Sequence, residues 1–187
     1  ASTGNQTTAT AAITTANITP VLNVSNSVYG TAPSLSVAGN TGNGAVTYYY
    51  NTDGSNSGGT VWSQAVKLHA GDYYMYAEIA ANGNYAAAKT AAVKFEVEPK
   101  PVTVSGITAQ EKKYDGNPSA GLDFSNLKIN GKIEGDELKA TAAGSFENAN
   151  AGENKTVNLF DMKLSGNSAT NYVLAATGNQ MTATAKI

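Results

Sequence analysis

The chain has 187 residues, no cysteine, a single histidine, 12 basic against 14 acidic side chains and a net charge of −2. So even a balance of charge offers no field to gather nucleic acid or an anionic lipid surface, and no apolar run approaches the ~18 residues that a membrane-spanning helix needs. The lack of cysteine suits a cytosolic or bacterial surface protein better than a secreted eukaryotic one, where domains of this size are commonly disulfide-bonded.

Residues 1–16 are small, polar and uncharged, with no sustained period, and read as a leader or linker with Ile13 set against the first domain. Alternation starts at Leu22 and Val24 and continues through Leu35 and Val37, then Val46, Tyr48 and Tyr50, which predicts strands. The Asn-, Gly- and Ser-rich stretches at 39–44 and 52–59 predict turns between them. Val61–Leu68 and Tyr73–Ile79 are expected to form the next pair. Val93, Phe95 and Val97 then alternate with Lys94, Glu96 and Glu98, giving one core face and one wet face. Pro99 and Pro101 withhold backbone donors, so pairing is not expected to run through, and a stiff linker is placed at 99–101.

The second half resumes with Val102, Val104 and Ile107, followed by a turn at Lys113–Gly116. Leu127, Ile129 and Ile133 follow, then Leu138, Ala140 and Ala142. Val157 and Leu159 share a parity that Met162 and Leu164 do not, which predicts a bulge near Phe160–Asp161. Tyr172 and Leu174 come next, and Met181, Ala183, Ala185 and Ile187 alternate with Thr182, Thr184 and Lys186 to close the domain. No segment shows a helical period with caps. The expected fold is all-β, with two tandem Ig-like β-sandwich domains at 17–98 and 102–187.

An internal repeat supports that division. Tyr29 precedes Gly30 and Pro33, and 85 residues later Tyr114 precedes Asp115, Gly116 and Pro118. Ala70-Gly71 and Asn84-Tyr85 recur as Ala151-Gly152 and Asn171-Tyr172, which is how two copies of one unit look after loops of different length have been accepted. The tyrosines before the glycine turns are expected to lie on the core edge, and Tyr85 and Tyr172 to act like the tyrosine corner of other sandwiches.

The residues carry little visible chemistry. His69 stands alone without a cysteine, whereas a zinc site needs three or four clustered ligands, and nothing resembles a nucleophile elbow or a phosphate-cradling loop. Asn51, Asp53 and Ser55 begin like a calcium loop, but Trp62 stands where the bidentate glutamate would be needed, so the stretch reads as a hairpin loop. Glu134–Glu137 reads as a solvated turn. Trp62 with Tyr48, Tyr49 and Tyr50 suggests a sugar-stacking platform; alternation turns some of these rings inward, and Trp62 is kept as the candidate ligand contact. No catalytic, cofactor-binding or metal-binding residue is assigned.

The landmarks Ile107-Thr108-Ala109, Lys113-Tyr114-Asp115-Gly116, Gly135-Asp136-Glu137-Leu138, Ala143-Gly144-Ser145-Phe146, Asn150-Ala151-Gly152, Leu164-Ser165-Gly166 and Asn171-Tyr172 occur in that order. Together they resemble the YDG-type repeat of bacterial surface adhesins, related to the MBG group of Ig-like modules, over 102–187. The first copy resembles related Ig-like repeats of Gram-positive surface proteins through Val28-Tyr29-Gly30, Gly44–Tyr48, Ala70–Tyr74 and Asn84-Tyr85. The resemblance implies a non-enzymatic stalk segment at the extracellular face of a bacterium, flanked by further repeats, with a host glycan or surface protein as the expected partner. The alternatives are a binding module that uses the 51–60 loop near Trp62, and an accessory domain of a larger extracellular enzyme.

Overall fold

A computed structural model of the protein describes residues 11–187; the first ten residues of the expected leader lie outside the described residues. Among the described residues the chain is all-β, with no α-helix. In the N-terminal half the strands are β1 (Val21–Val24), β2 (Ser27–Val28), β3 (Leu35–Ala38), β4 (Val46–Asn51), β5 (Thr60–Val61), β6 (Gly71–Ile79), β7 (Ala88–Lys89) and β8 (Val93–Glu98). Then come β9 (Lys100–Ser105), β10 (Thr108–Ala109), β11 (Ser119–Ala120), β12 (Leu122–Asp123), β13 (Lys128–Asn130), β14 (Lys139–Phe146), β15 (Lys155–Ser165), β16 (Tyr172–Leu174) and β17 (Thr182–Ala185). Contacts divide the chain into two compact units. The first contains the chain up to Ser25, Pro33–Ala65 and Asp72–Phe95; the second contains Asn26–Ala32, Val66–Gly71 and Glu96–Ile187.

In the first unit β1 pairs antiparallel with β3, placing buried Leu22 opposite Val37. β4 and β6 form a long antiparallel pair from Val46 opposite Ile79 to Asn51 opposite Tyr74. Met75, Tyr76 and Ala77 are buried in succession, so this part of β6 has lost the in–out alternation of a half-wet strand and is covered on both faces. Tyr49 stacks on Tyr76 at 5.1 Å, and Thr90 is sewn to Ala77 by two hydrogen bonds, one through its hydroxyl. The strand expected over Val61–Leu68 stops after Val61, because Trp62 turns into the core against Tyr48 and the chain beyond it leaves the sheet. Ile13 does not touch the domain; it is 98% exposed, and the chain is anchored at Ala16, which bridges Tyr85.

In the second unit two sheets enclose one core. One is β11-β14-β15-β17 and the other β13-β9-β16, the last two strands running parallel. Val104 and Ile107 meet Ala140, Phe146, Val157, Leu159 and Ala185 between them, with Leu127, Ile129 and Leu174 packed against that cluster. Burying a side chain such as Phe146 or Leu159 contributes about 1.5–3 kcal/mol. The expected bulge is present: Thr141 faces Lys163 and Ala143 faces Phe160, so Asp161 and Met162 together oppose Ala142, and Asp161 has a φ of 50°. Pro101 lies in β9 opposite Val173, so pairing resumes sooner after β8 than the two prolines suggested. A proline is tolerated near the start of a strand because only its missing N–H is forfeited.

Gly106 has a φ of 80°, and a Cβ there would lie 2.1 Å from the Asn126 carbonyl oxygen. Gly106→Ala is expected to lower stability by about 2 kcal/mol or more, combining left-handed strain with a backbone collision. Gly116→Ala, at φ 75° with open space around it, should cost only about 1 kcal/mol. Thermal denaturation of the two variants checks the difference.

Candidate functional site

The densest polar cluster lies wholly in the second unit, around the carboxylate of Asp136. Ile133–Asp136 is a tight turn in which the Asp136 N–H donates to the Ile133 carbonyl and Gly135 takes a φ of 85°, which sets the carboxylate inward. Three donors meet it. Lys67 Nζ lies 3.0 Å from Oδ1, the Tyr29 hydroxyl donates to the same oxygen at 3.3 Å, and the Tyr172 hydroxyl donates to Oδ2. The Tyr172 oxygen in turn accepts the Ile133 N–H at 2.9 Å.

The rings around this carboxylate interlock. Tyr29 meets Tyr172 edge-on at 5.4 Å, Lys67 lies over the Tyr29 ring at 4.7 Å, and His69 stacks on Tyr29 at 6.2 Å. Asn171, buried beside Tyr172, accepts the Ala70 N–H at its side-chain oxygen, so its amide nitrogen faces His69 Nδ1 at 3.0 Å. The backbone donor leaves Asn171 no choice of orientation, and His69 Nδ1 must therefore act as acceptor with the proton on Nε2.

Burial acts to raise the Asp136 pKa, but hydrogen bonds from Tyr172, Lys67 and Tyr29 outweigh it and hold the carboxyl below its ordinary value. Burial and the hydrogen bond to Asp136 push Tyr172 up to about 12. Lys67 is raised by its contacts with Tyr29 and Asp136. All three shifts favour one arrangement, an ionised carboxylate held by a neutral phenol and an ammonium. Chemically this is a clamp: every donor aimed at Asp136 stabilises the resting charge, and the carboxylate oxygens are occupied.

The structure distributes the sequence-predicted residues unevenly. Tyr29, Gly30, Asn171 and Tyr172 come together here, and the two tyrosines are buried. Tyr114 is not on a core edge; it is 66% exposed. Its neighbours form a self-contained turn, with Asp115 accepting the Asn117 N–H and pairing with Lys112 at 2.8 Å, and Gly116 at a φ of 75°. Tyr85 belongs to the first unit, where it exchanges backbone hydrogen bonds with Asn82 in the segment that receives Ala16. The Trp62 side chain is buried, which corrects its assignment as a ligand contact. The oxygens of Asn51 and Asp53 accept the Gly54 and Ser55 N–H groups, as a hairpin loop requires.

Two features are invisible in the sequence pattern. Glu134–Glu137 is not simply a solvated turn, since Asp136 is drawn inward. Lys155 is buried, with Nζ 2.6 Å from the Asn148 side-chain oxygen and 3.6 Å from Glu147. Among the described residues no group of three or more His, Cys, Asp or Glu side chains is placed to hold a metal ion, and no helix is long and apolar enough to cross a membrane.

Residues 98–181 match the family model of the YDG domain. The chain carries a YDG domain. No curated protein and no solved structure matches the chain. YDG domains are a non-catalytic repeat family typical of bacterial surface proteins. The matched span contains Asp136, Asn171 and Tyr172, whereas Tyr29, Lys67 and His69 reach the YDG domain from segments that precede it in the chain.

Tyr172→Ala should cost about 3 kcal/mol, the low end for a large buried aromatic, while Tyr114→Ala should stay within about 0.5 kcal/mol; equilibrium unfolding distinguishes them. Because the Asp136 carboxyl is depressed in the fold, the stability it contributes is present above the unfolded value of about 3.9 and is lost as pH falls through the lower folded value. Melting temperatures followed down from about pH 5 should show that acid loss in the parent and a shallower one in Asp136→Asn.

Proposed function

We propose that the chain is a non-catalytic structural segment of a bacterial cell-surface adhesin, spacing or presenting a binding region carried elsewhere in the parent protein. The observation that carries this reading is the Asp136 clamp. Its charged and phenolic groups, Tyr29, Lys67, Asp136 and Tyr172, join four separated stretches of chain, and charge-assisted hydrogen bonds are the stronger kind, at about 1.5–3 kcal/mol each. In a chain without cysteine, such a clamp fixes how these stretches are placed against one another. The YDG match supports the surface setting, and the repeat supports a reading as two tandem Ig-like modules.

Burial of Trp62 weighs against the alternative in which this ring stacks on a glycan. The test is a replacement in the parent adhesin. Exchanging this segment for an unrelated folded β-domain of similar length should preserve adhesion of whole cells, while a Gly/Ser linker of equal residue count, which behaves as a flexible coil, should reduce it. Loss of adhesion with both replacements, together with retention of host mucin by the purified chain, would assign binding to the segment itself and overturn the proposal.

A further inference from the structure

Tyr29 and Tyr114 head turns of the same length, Tyr29-Gly30-Thr31-Ala32-Pro33 and Tyr114-Asp115-Gly116-Asn117-Pro118, yet one ring is 2% exposed and the other 66%. Their backbones are held alike. β2 runs parallel to the end of β8, with Ser27 opposite Val97 and the Tyr29 N–H bonded to the Glu98 carbonyl. Lys112, the counterpart of Ser27 in the repeat, donates its N–H to the Lys186 carbonyl beside Ile187. Gly152, the counterpart of Gly71, exchanges two backbone hydrogen bonds with Ile187. Ile187 thus occupies the place of Val97, the last inward residue of a closing alternation. The two turns differ in their covering. After Val97 comes the YDG domain whose Asp136, Ile133 and Tyr172 cover Tyr29.

We propose that the face formed by Tyr114 and the Asn148–Ala151 loop is a docking surface for a further YDG domain joined after Ile187. Tyr114 there takes the position against the incoming Asp136 and Tyr172 that Tyr29 takes in this chain. The inference deepens the structural-segment reading and rests on it. Exposed Lys113, next to Tyr114, supplies a cation for the incoming carboxylate, and Asp115 is already countered by Lys112. The Tyr-Asp-Gly turn has a Cβ where the Tyr-Gly turn has none. At Gly30, whose φ is 86°, a Cβ would meet Ile133 Cδ1 at 2.3 Å, whereas the Tyr-Asp-Gly turn moves its left-handed position one residue on, to Gly116 at φ 75°, and so accommodates the Asp115 side chain.

The test appends a second copy of residues 98–187 directly after Ile187 of the full chain and follows tyrosine nitration by peptide mass spectrometry. Nitration of Tyr114, fast in the single chain, should slow towards that of Tyr29 in the fusion. Tyr114→Ala should leave the melting temperature of the single chain unchanged and lower that of the fusion. Equal Tyr114 nitration in both proteins while the appended Tyr172 is protected overturns the proposal, as does an appended copy that fails to fold after Ile187 when the first folds after Val97. Because these readouts use purified protein, they can fail while the replacement experiment in cells succeeds, and the reverse.

Discussion

One carboxylate organises the second unit. Asp136 is largely withdrawn from water, and a buried charge is tolerable only when its oxygens are satisfied. Tyr29, Tyr172 and Lys67 meet that requirement from three places in the chain, and each is itself committed by doing so. The interaction is thus better understood as a specifier of arrangement than as a large store of stability. Any other placement of the Asn26–Ala32 and Val66–Gly71 segments would strand a charge in a poorly hydrated setting.

The constraint explains the second layer of contacts. Tyr29 can donate to Asp136 only while its ring is held, and His69, Lys67 and Tyr172 all pack against it. His69 is positioned through Asn171, whose own orientation is dictated by the Ala70 backbone. A histidine that looks isolated in the sequence is therefore a packing element, positioned by a backbone amide and an asparagine.

Where structure is a matter of neighbours along the chain, the sequence is readable. The alternations of β8 and β17, the parity change that marks the bulge at Asp161, and the hairpin loop after Asn51 all follow from side-chain period and turn chemistry. The clamp is not readable, because Tyr29 and Asp136 lie 107 residues apart and nothing local in Glu134–Glu137 says that one of its acids faces inward. The same limit explains Tyr114. Its motif repeats that of Tyr29, but burial is decided by what packs on the turn and not by the turn itself. Trp62 and Lys155 are the mirror cases, side chains whose surroundings are drier than their neighbours in sequence suggest.

The parallel pairing of β9 with β16 has a kinetic meaning. Lys100 finds its partner only at Tyr172, so the sheet containing β9 cannot be completed until nearly the whole YDG domain is present. Closing so long a loop before any reward is collected slows folding. A chain emerging end-first from a narrow channel would therefore stay unfolded through most of its passage and compact late.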